Sequence, residues 1–82
     1  MIYKTTDSTE AILLKTFNYP YIGASKIERI KGKTAVEFSF DLPKLSLIED
    51  MNKDYANHVL SVDAYDVLEA QKYIRKEIFD NR

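Results

Sequence analysis

The sequence predicts an α+β domain in the order β-α-β-β-α-(β)-α, with a small, mainly antiparallel sheet that carries its helices on one face. Three observations predict this class. Short β-branched and aromatic runs alternate with helical patterns, the centre of the chain has the pattern of a hairpin, and that hairpin has a single apolar face. No internal repeat or Gly/Ser-rich linker divides the 82 residues, so we expect one domain over residues 1–82.

The first strand and the first helix are predicted at the start of the chain. Residues 2–6 are short, β-branched and alternating, which is typical of a strand. Asp7 can accept hydrogen bonds from the free amides of a helix start, and Glu10, three positions later, completes a capping-box pattern. We therefore expect a helix from about Ser8 to Asn18, which ends ahead of Pro20 because the residue before a proline favours extended geometry.

A β-hairpin with Lys31 and Gly32 as its two turn residues is the next predicted feature. Residues at equal distances from such a turn face each other, which pairs Ile27 with Val36, Ser25 with Phe38 and Gly23 with Phe40. The apolar face then consists of Ile27, Val36, Phe38 and Phe40, with Lys26, Glu28, Glu37 and Ser39 on the other face. Because lysine is unusual at the first turn position, a longer loop with Gly32 at a bulge is the alternative.

Two more helices are predicted in the second half of the chain. Pro43 suits a first helical turn, and apolar residues at spacings of three and four predict a helix over about Lys44 to Tyr55. The residues of its apolar face are Leu45, Ile48, Met51 and Tyr55. Val59–Val62 is either a short fourth strand or an apolar connection. Asp63 is expected to begin the last helix, whose inner face consists of Val67, Ala70 or Gln71, Ile74 and Ile78.

Composition excludes several chemistries. The only two glycines, Gly23 and Gly32, cannot supply a Walker loop or a dinucleotide fingerprint. The chain has no cysteine and one histidine, which excludes a disulfide framework, a thiolate nucleophile and a multi-histidine zinc site. We therefore expect a non-catalytic protein without a cofactor.

Charge and hydropathy favour a cytoplasmic protein with no membrane partner. The longest uncharged apolar run, Ala11–Leu14, is far below the roughly 20 residues that cross a bilayer, and the start of the chain lacks a signal-peptide layout. With 12 basic and 13 acidic residues the net charge is −1, which gives little long-range attraction to a polyanion. The small core also favours self-association, because a second copy would add to the stability of the domain.

Three segments together resemble a known group of proteins. They are Tyr3-Lys4-Thr5-Thr6-Asp7 at the start, the strand Val36-Glu37-Phe38-Ser39-Phe40, and the helix entry Val62-Asp63-Ala64-Tyr65. On these segments the chain is similar to a family of short uncharacterised proteins from phages and bacterial mobile elements, known as a domain of unknown function. The departures lie in Tyr19-Pro20-Tyr21 and in the tail. The resemblance implies a viral or prophage setting and no known activity.

A protein interface is expected at Tyr19, Pro20 and Tyr21. Tyrosines beside a loop proline are typical anchors of protein interfaces, and local packing against the second strand is the alternative. The leading hypothesis is a non-catalytic viral or mobile-element interaction module that binds a host or phage protein or associates with itself.

A basic hairpin carries the alternative function, nucleic-acid binding. Its cations are Lys26, Arg29, Lys31 and Lys33. A two-stranded ribbon can lie along phosphates, although lysines at a sheet edge also prevent aggregation.

A metal site is considered at Asp50, Asp54 and His58, which stand at i, i+4 and i+8. On a continuous helix they would offer two oxygen ligands and one nitrogen ligand to a divalent cation. Asn52 and Asn57 suggest that the helix ends before His58, and exposed acids are usually just solvated. We expect no metal at this position.

Overall fold

The computed structural model describes residues 1–30 and 32–81. In chain order the elements are β1 (Ile2–Thr5), α1 (Ser8–Thr16), β2 (Tyr21–Ile30), β3 (Lys33–Asp41), α2 (Ser46–Ala56) and α3 (Ala64–Asp80). The predicted α+β class is therefore confirmed. The segment 57–63 contains no strand, so Val59–Val62 is an apolar connection between α2 and α3.

The sheet has the strand order β1-β3-β2, with both neighbours antiparallel to β3. β1 and β2 consequently run in the same direction without touching, because β3 separates them. The core forms against the face that carries Phe38 and Phe40, which are 1% and 0% exposed. Helices α1 and α3 pack against each other over this face, and α2 adds two buried side chains at its side.

Two aspartates begin α1 and α3 as predicted. The Asp7 carboxylate accepts hydrogen bonds from the N–H groups of Thr9 and Glu10 at 2.9 and 3.2 Å. The Asp63 carboxylate accepts one from the N–H of Asp66 at 3.1 Å. Each bond satisfies a backbone donor that has no partner within the helix, so the first turn is stabilised locally.

Helix α1 ends earlier than the predicted boundary at Asn18. Its last residue is Thr16, Phe17 is the C-cap, and Asn18 has a left-handed φ of 61°. Asparagine tolerates this conformation better than most residues, which explains why the helix stops here rather than at the proline that follows.

The reciprocal half of the predicted capping box is wrong. The N–H of Asp7 donates to Oγ1 of Thr5 at 3.1 Å, and the Glu10 side chain turns into the domain instead. There its carboxylate accepts hydrogen bonds from the Tyr3 hydroxyl and, at 2.8 Å, from Nδ2 of Asn52. Glu10 thus joins β1, α1 and α2. Burial, followed by the hydrogen bond to Glu10, raises the pKa of Tyr3 to about 12.

The predicted register of β2 is wrong by one residue over most of its length. Ile30 pairs with Lys33 as expected, but an irregularity between Glu28 and Ile30 shifts the pairs that follow. They are Ile27 with Ala35, Lys26 with Val36, Ser25 with Glu37, Ala24 with Phe38, and Gly23 with Ser39. Because side chains alternate along a strand, the slip exchanges the two faces of β2 from Glu28 back to Gly23, while β3 keeps the predicted face. A second irregularity between Tyr21 and Gly23 returns Tyr21 to the face of Phe40.

The structure confirms the predicted turn position of Gly32 and contradicts the predicted pairing of Gly23. Gly32 has a left-handed φ of 81° next to the hairpin turn, where glycine is favoured. Lys31, the other predicted turn residue, lies outside the described residues. Gly23 does not face Phe40 as predicted: it pairs with Ser39, and a Cβ added to it would meet nothing within 4 Å. Phe40 lies opposite Tyr21 instead.

Helix α2 starts later in the chain and is less buried than its pattern predicts. It starts at Ser46 with Leu45 as an N-cap that makes no side-chain hydrogen bond, and Pro43 precedes the helix. Ile48 and Met51 are buried, but Leu45 and Tyr55 are 46% and 54% exposed. The predicted inner face of α3 is confirmed, with Ala70 and Ile74 buried.

Candidate functional site

The predicted interface residues Tyr19, Pro20 and Tyr21 occupy different environments. Tyr19 and Tyr21 are partly buried and pack against the core, whereas Pro20 is exposed. The carbonyl of Pro20 accepts a hydrogen bond from the N–H of Asp41 at 2.9 Å, which ties this segment to the end of β3. Local packing therefore accounts for much of the two tyrosine rings, and a binding role for the segment stays a prediction.

Tyr21 belongs to an aromatic cluster that joins the sheet to α3. Its ring centroid lies 5.2 Å from that of Phe40 and 5.4 Å from that of Tyr73. Lys15 Nζ lies 4.4 Å from the Tyr73 centroid, within the range of a cation–π interaction. The Tyr21 hydroxyl is buried, and among the described residues no hydrogen bond of normal geometry reaches it. Burial, and then the nearby Glu77 carboxylate, raises the pKa of Tyr21 above its usual range.

The basic residues of the hairpin do not share one face. Lys26 pairs with Val36 and lies on the inner face, beside a cavity of about 450 Å³ that Ile78 also lines. Lys33 lies on the opposite face by strand alternation, and Arg29 occupies the irregular position between the regular pairs. All three side chains are exposed, and Lys31 lies outside the described residues.

The metal candidates Asp50, Asp54 and His58 do not form one helical stripe. Helix α2 ends at Ala56, and His58 has a left-handed φ of 59° beyond the helix. Within residues 1–30 and 32–81, no group of three or more histidine, cysteine, aspartate or glutamate side chains is placed to hold a metal ion.

A groove lies between the end of α1, one side of α2 and the connection to α3, and we refer to it as the α2 groove. Its volume is about 290 Å³, and its lining residues are Phe17, Tyr19, Leu47, Asp50, Met51, Asp54 and Leu60. Five of these seven side chains are apolar or aromatic and two are carboxylates. The groove therefore combines an apolar floor with a negative charge.

Local structure explains why these side chains converge. The four α2 residues of the groove follow one another at spacings of three, one and three, which places them on one side of a helix. Phe17 follows directly after α1 as its C-cap. Leu60 is held close to α2 because the N–H of the preceding Val59 donates to the carbonyl of Asp54 at 3.0 Å.

The charged side chains that line the α2 groove are both negative. Asp50 and Asp54 stand at i and i+4 on α2, a spacing at which like charges repel each other. In the part of the chain that the structure describes, neither carboxylate forms a salt bridge. Both side chains are exposed. A cation bound between them would relieve this repulsion.

Exposed apolar residues extend the surface around the α2 groove. Tyr55 follows the groove residue Asp54 in sequence, Val59 precedes the groove residue Leu60, and the two are 54% and 66% exposed. Phe17, which lines the groove, is 39% exposed. Isolated exposed apolar residues are ordinary, but several beside a concave surface are typical of interaction sites.

The sequence patterns missed Leu47, Phe17 and Leu60 as groove residues. Leu47 carried a usable signal, because it is a large apolar residue one position before the buried stripe of α2 and therefore lies beside that stripe. Phe17 and Leu60 are far apart in sequence, and only the folded chain brings them together.

Comparisons with known proteins add no relative. No protein-family model, no curated protein and no solved structure matches the chain. The resemblance to phage and mobile-element proteins thus stays a prediction. Among the described helices, none combines the length and the apolar composition that crossing a membrane requires.

Proposed function

We propose that the protein is a non-catalytic interaction module that binds another protein, or a second copy of itself, through the α2 groove. The observation that carries this proposal is the groove itself, an apolar depression of about 290 Å³ bordered by exposed aromatic and aliphatic residues. We place this binding in the cytoplasm, in the phage or mobile-element setting that the sequence resemblance implies.

The open shape and the lining of the α2 groove favour a protein ligand over a small molecule. Pockets for small molecules and cofactors enclose most of the ligand, whereas this groove is open to solvent. Phe17, Tyr19 and Met51 belong to residue types that are enriched in protein interfaces. One or two large side chains of a partner would fill such a depression.

Selection of displayed peptides on the full chain, followed by chemical-shift mapping, tests this function. We expect the selected peptide to shift the backbone signals of Leu47, Asp54 and Leu60. Leu47→Ser should weaken its binding about tenfold, because a partner side chain loses an apolar contact in the groove. Leu68→Ser is the matched control, since Leu68 is exposed on α3 and lies outside the groove.

Circular dichroism of both leucine variants separates lost binding from lost folding. Shifts that cluster on another surface, or equal weakening by Leu47→Ser and Leu68→Ser in folded protein, would contradict the assignment to the groove. Light scattering at micromolar concentrations identifies self-association. A doubled mass that returns to the monomer value in Leu47→Ser would make a second copy the occupant.

Nucleic-acid binding by the hairpin is the second candidate function, which the exposure of Lys26, Arg29 and Lys33 supports. The net charge of −1 and the division of Lys26 and Lys33 between two faces make it the weaker one. If the hairpin has this function, DNA or RNA should bind at low salt, and the binding should fall steeply with added salt and be lost when Lys26, Arg29, Lys31 and Lys33 are changed to glutamate. Binding that survives this charge reversal would exclude the hairpin as the site.

A further inference from the structure

We propose that the α2 groove recognises a segment of a partner protein in which a large apolar side chain lies next to a lysine or arginine. This inference rests on the proposed function and specifies the chemistry of the partner. The apolar side chain enters the floor of the groove, and the basic side chain lies at its edge between Asp50 and Asp54.

Charge complementarity selects the basic residue. Asp50 and Asp54 are the only charged residues that line the described groove, and neither forms a salt bridge with another described residue. Consecutive turns of α2 place them on the same edge as Leu47 and Met51. A lysine or arginine would reduce the repulsion between the two carboxylates, and its aliphatic stem would cover apolar surface while the charge stays at the rim.

The apolar floor selects the second residue. Among the apolar groove residues, Met51 is 7% exposed and Phe17 is 39% exposed. The groove is therefore lined both by core residues and by residues open to solvent. Met51 has a flexible thioether side chain that adapts to ligands of different shape. An apolar side chain placed here would extend the existing core instead of forming a separate contact.

Two other carboxylates of the described chain form salt bridges, whereas the groove carboxylates do not. Asp41 contacts the N-terminal amine at 3.0 Å, and Glu69 contacts Lys72 at 3.4 Å. Lys53 on α2 lies one residue before Asp54, yet among the described residues it makes no salt bridge to either aspartate. The negative edge of the groove is therefore available to a cation from another molecule.

Binding of three matched synthetic peptides to the full chain tests the inference. Each probe has about 14 residues, enough for a few helical turns, and the three carry leucine with lysine, leucine with glutamate, or serine with lysine. In fluorescence anisotropy at low salt, we expect the leucine–lysine peptide to bind about tenfold more tightly than either of the other two.

Variants of the protein assign this preference to the groove. Asp50→Asn/Asp54→Asn should weaken the leucine–lysine peptide about fivefold and leave the leucine–glutamate peptide unchanged or slightly tighter. The control Glu28→Gln/Asp80→Asn makes the same change in net charge at exposed positions away from the groove, and it should leave both affinities unchanged.

The outcomes separate this inference from the proposed function. If the leucine–lysine and leucine–glutamate peptides bind equally and Leu47→Ser weakens both, the groove is a docking site without charge preference and only the inference fails. If the serine–lysine peptide binds as well as the leucine–lysine peptide, or if Asp50→Asn/Asp54→Asn and the control Glu28→Gln/Asp80→Asn weaken binding alike, the attraction is non-specific and the inference also fails. Self-association through the groove would likewise overturn it.

Discussion

Helices α1 and α2 have similar lengths, but the domain covers them very differently. Four of the nine residues of α1 are buried, namely Glu10, Ala11, Leu13 and Leu14, against two of the eleven residues of α2, Ile48 and Met51. A side-chain cap begins α1, whereas α2 starts at Leu45 without one. Packing thus makes α1 part of the core, and it leaves α2 with one side free to form a binding surface.

If the α2 groove binds a partner as we propose, a stable scaffold and a binding surface lie on two different helices of one very small domain. Elements that bind partners tend to come from the less stable parts of a structure, because they cannot also be buried. Only one polar contact, the hydrogen bond from Asn52 to Glu10, joins α2 to α1 in the described side-chain network. The predictions below test this division of roles.

Leu14→Ala should have the largest effect. Leu14 is 1% exposed within the core, so the truncation leaves a cavity and should lower the free energy of unfolding by about 4 kcal/mol. Urea denaturation followed by circular dichroism measures this change. Leu68→Ala on the exposed side of α3 should change stability by no more than about 0.5 kcal/mol. Equal losses in the two variants would contradict the described core.

Met51→Ala should lower the free energy of unfolding by less, about 2 kcal/mol. Met51 is 7% exposed and lies at the side of the core, where the surrounding groove can partly close around the smaller side chain. Loss of the Met51 side chain should destabilise α2 before it destabilises the rest of the domain. Hydrogen exchange should accelerate for amides of α2 before those of α1, since the lightly packed helix opens locally. Uniform acceleration across both helices would show that α2 is as firmly attached as α1.

Glu10→Gln tests the polar contact between α1 and α2. It should lower the free energy of unfolding by about 1–2 kcal/mol. The carboxylate accepts from both Tyr3 and Asn52, whereas an amide offers one acceptor oxygen and turns a donor toward the other partner. Thermal unfolding measures the loss. Glu49→Gln, an exposed change on α2, is the control and should be nearly neutral.

The smallest effect concerns how stability falls at alkaline pH. The pKa of Tyr3 is raised to about 12 in the folded protein, so the neutral hydroxyl contributes stability that is fully present below the unfolded value of about 10. This contribution should disappear as the pH rises from about 10 to 12. In Tyr3→Phe, the free energy of unfolding should fall less steeply over the same pH range, because this tyrosine with its raised pKa is no longer there to ionise. Identical slopes in denaturation at several pH values would contradict this role.

Local sequence signals predicted much of the fold. The caps at Asp7 and Asp63, the inner face of α3 and the alternation of Phe38 and Phe40 all follow from residues within one or two turns or strand positions of each other. These features depend on short-range hydrogen bonds and on the periods of helix and strand, which a linear pattern contains. The candidate groove was predicted far less well, because Phe17, Leu47 and Leu60 come from three separate segments.

By itself the sequence determined the order of the elements, two helix starts and the inner face of β3. Only the tertiary structure decided the register of β2, the partners of Glu10 and the position of the α2 groove. The irregularity at Arg29 is a single residue, yet it reverses the side chains of β2 from Glu28 back to Gly23, because alternation has a period of two. Glu10 likewise suits a local cap, but the Tyr3 hydroxyl and the distant Asn52 give its buried carboxylate two hydrogen-bond donors where the cap offers one backbone N–H.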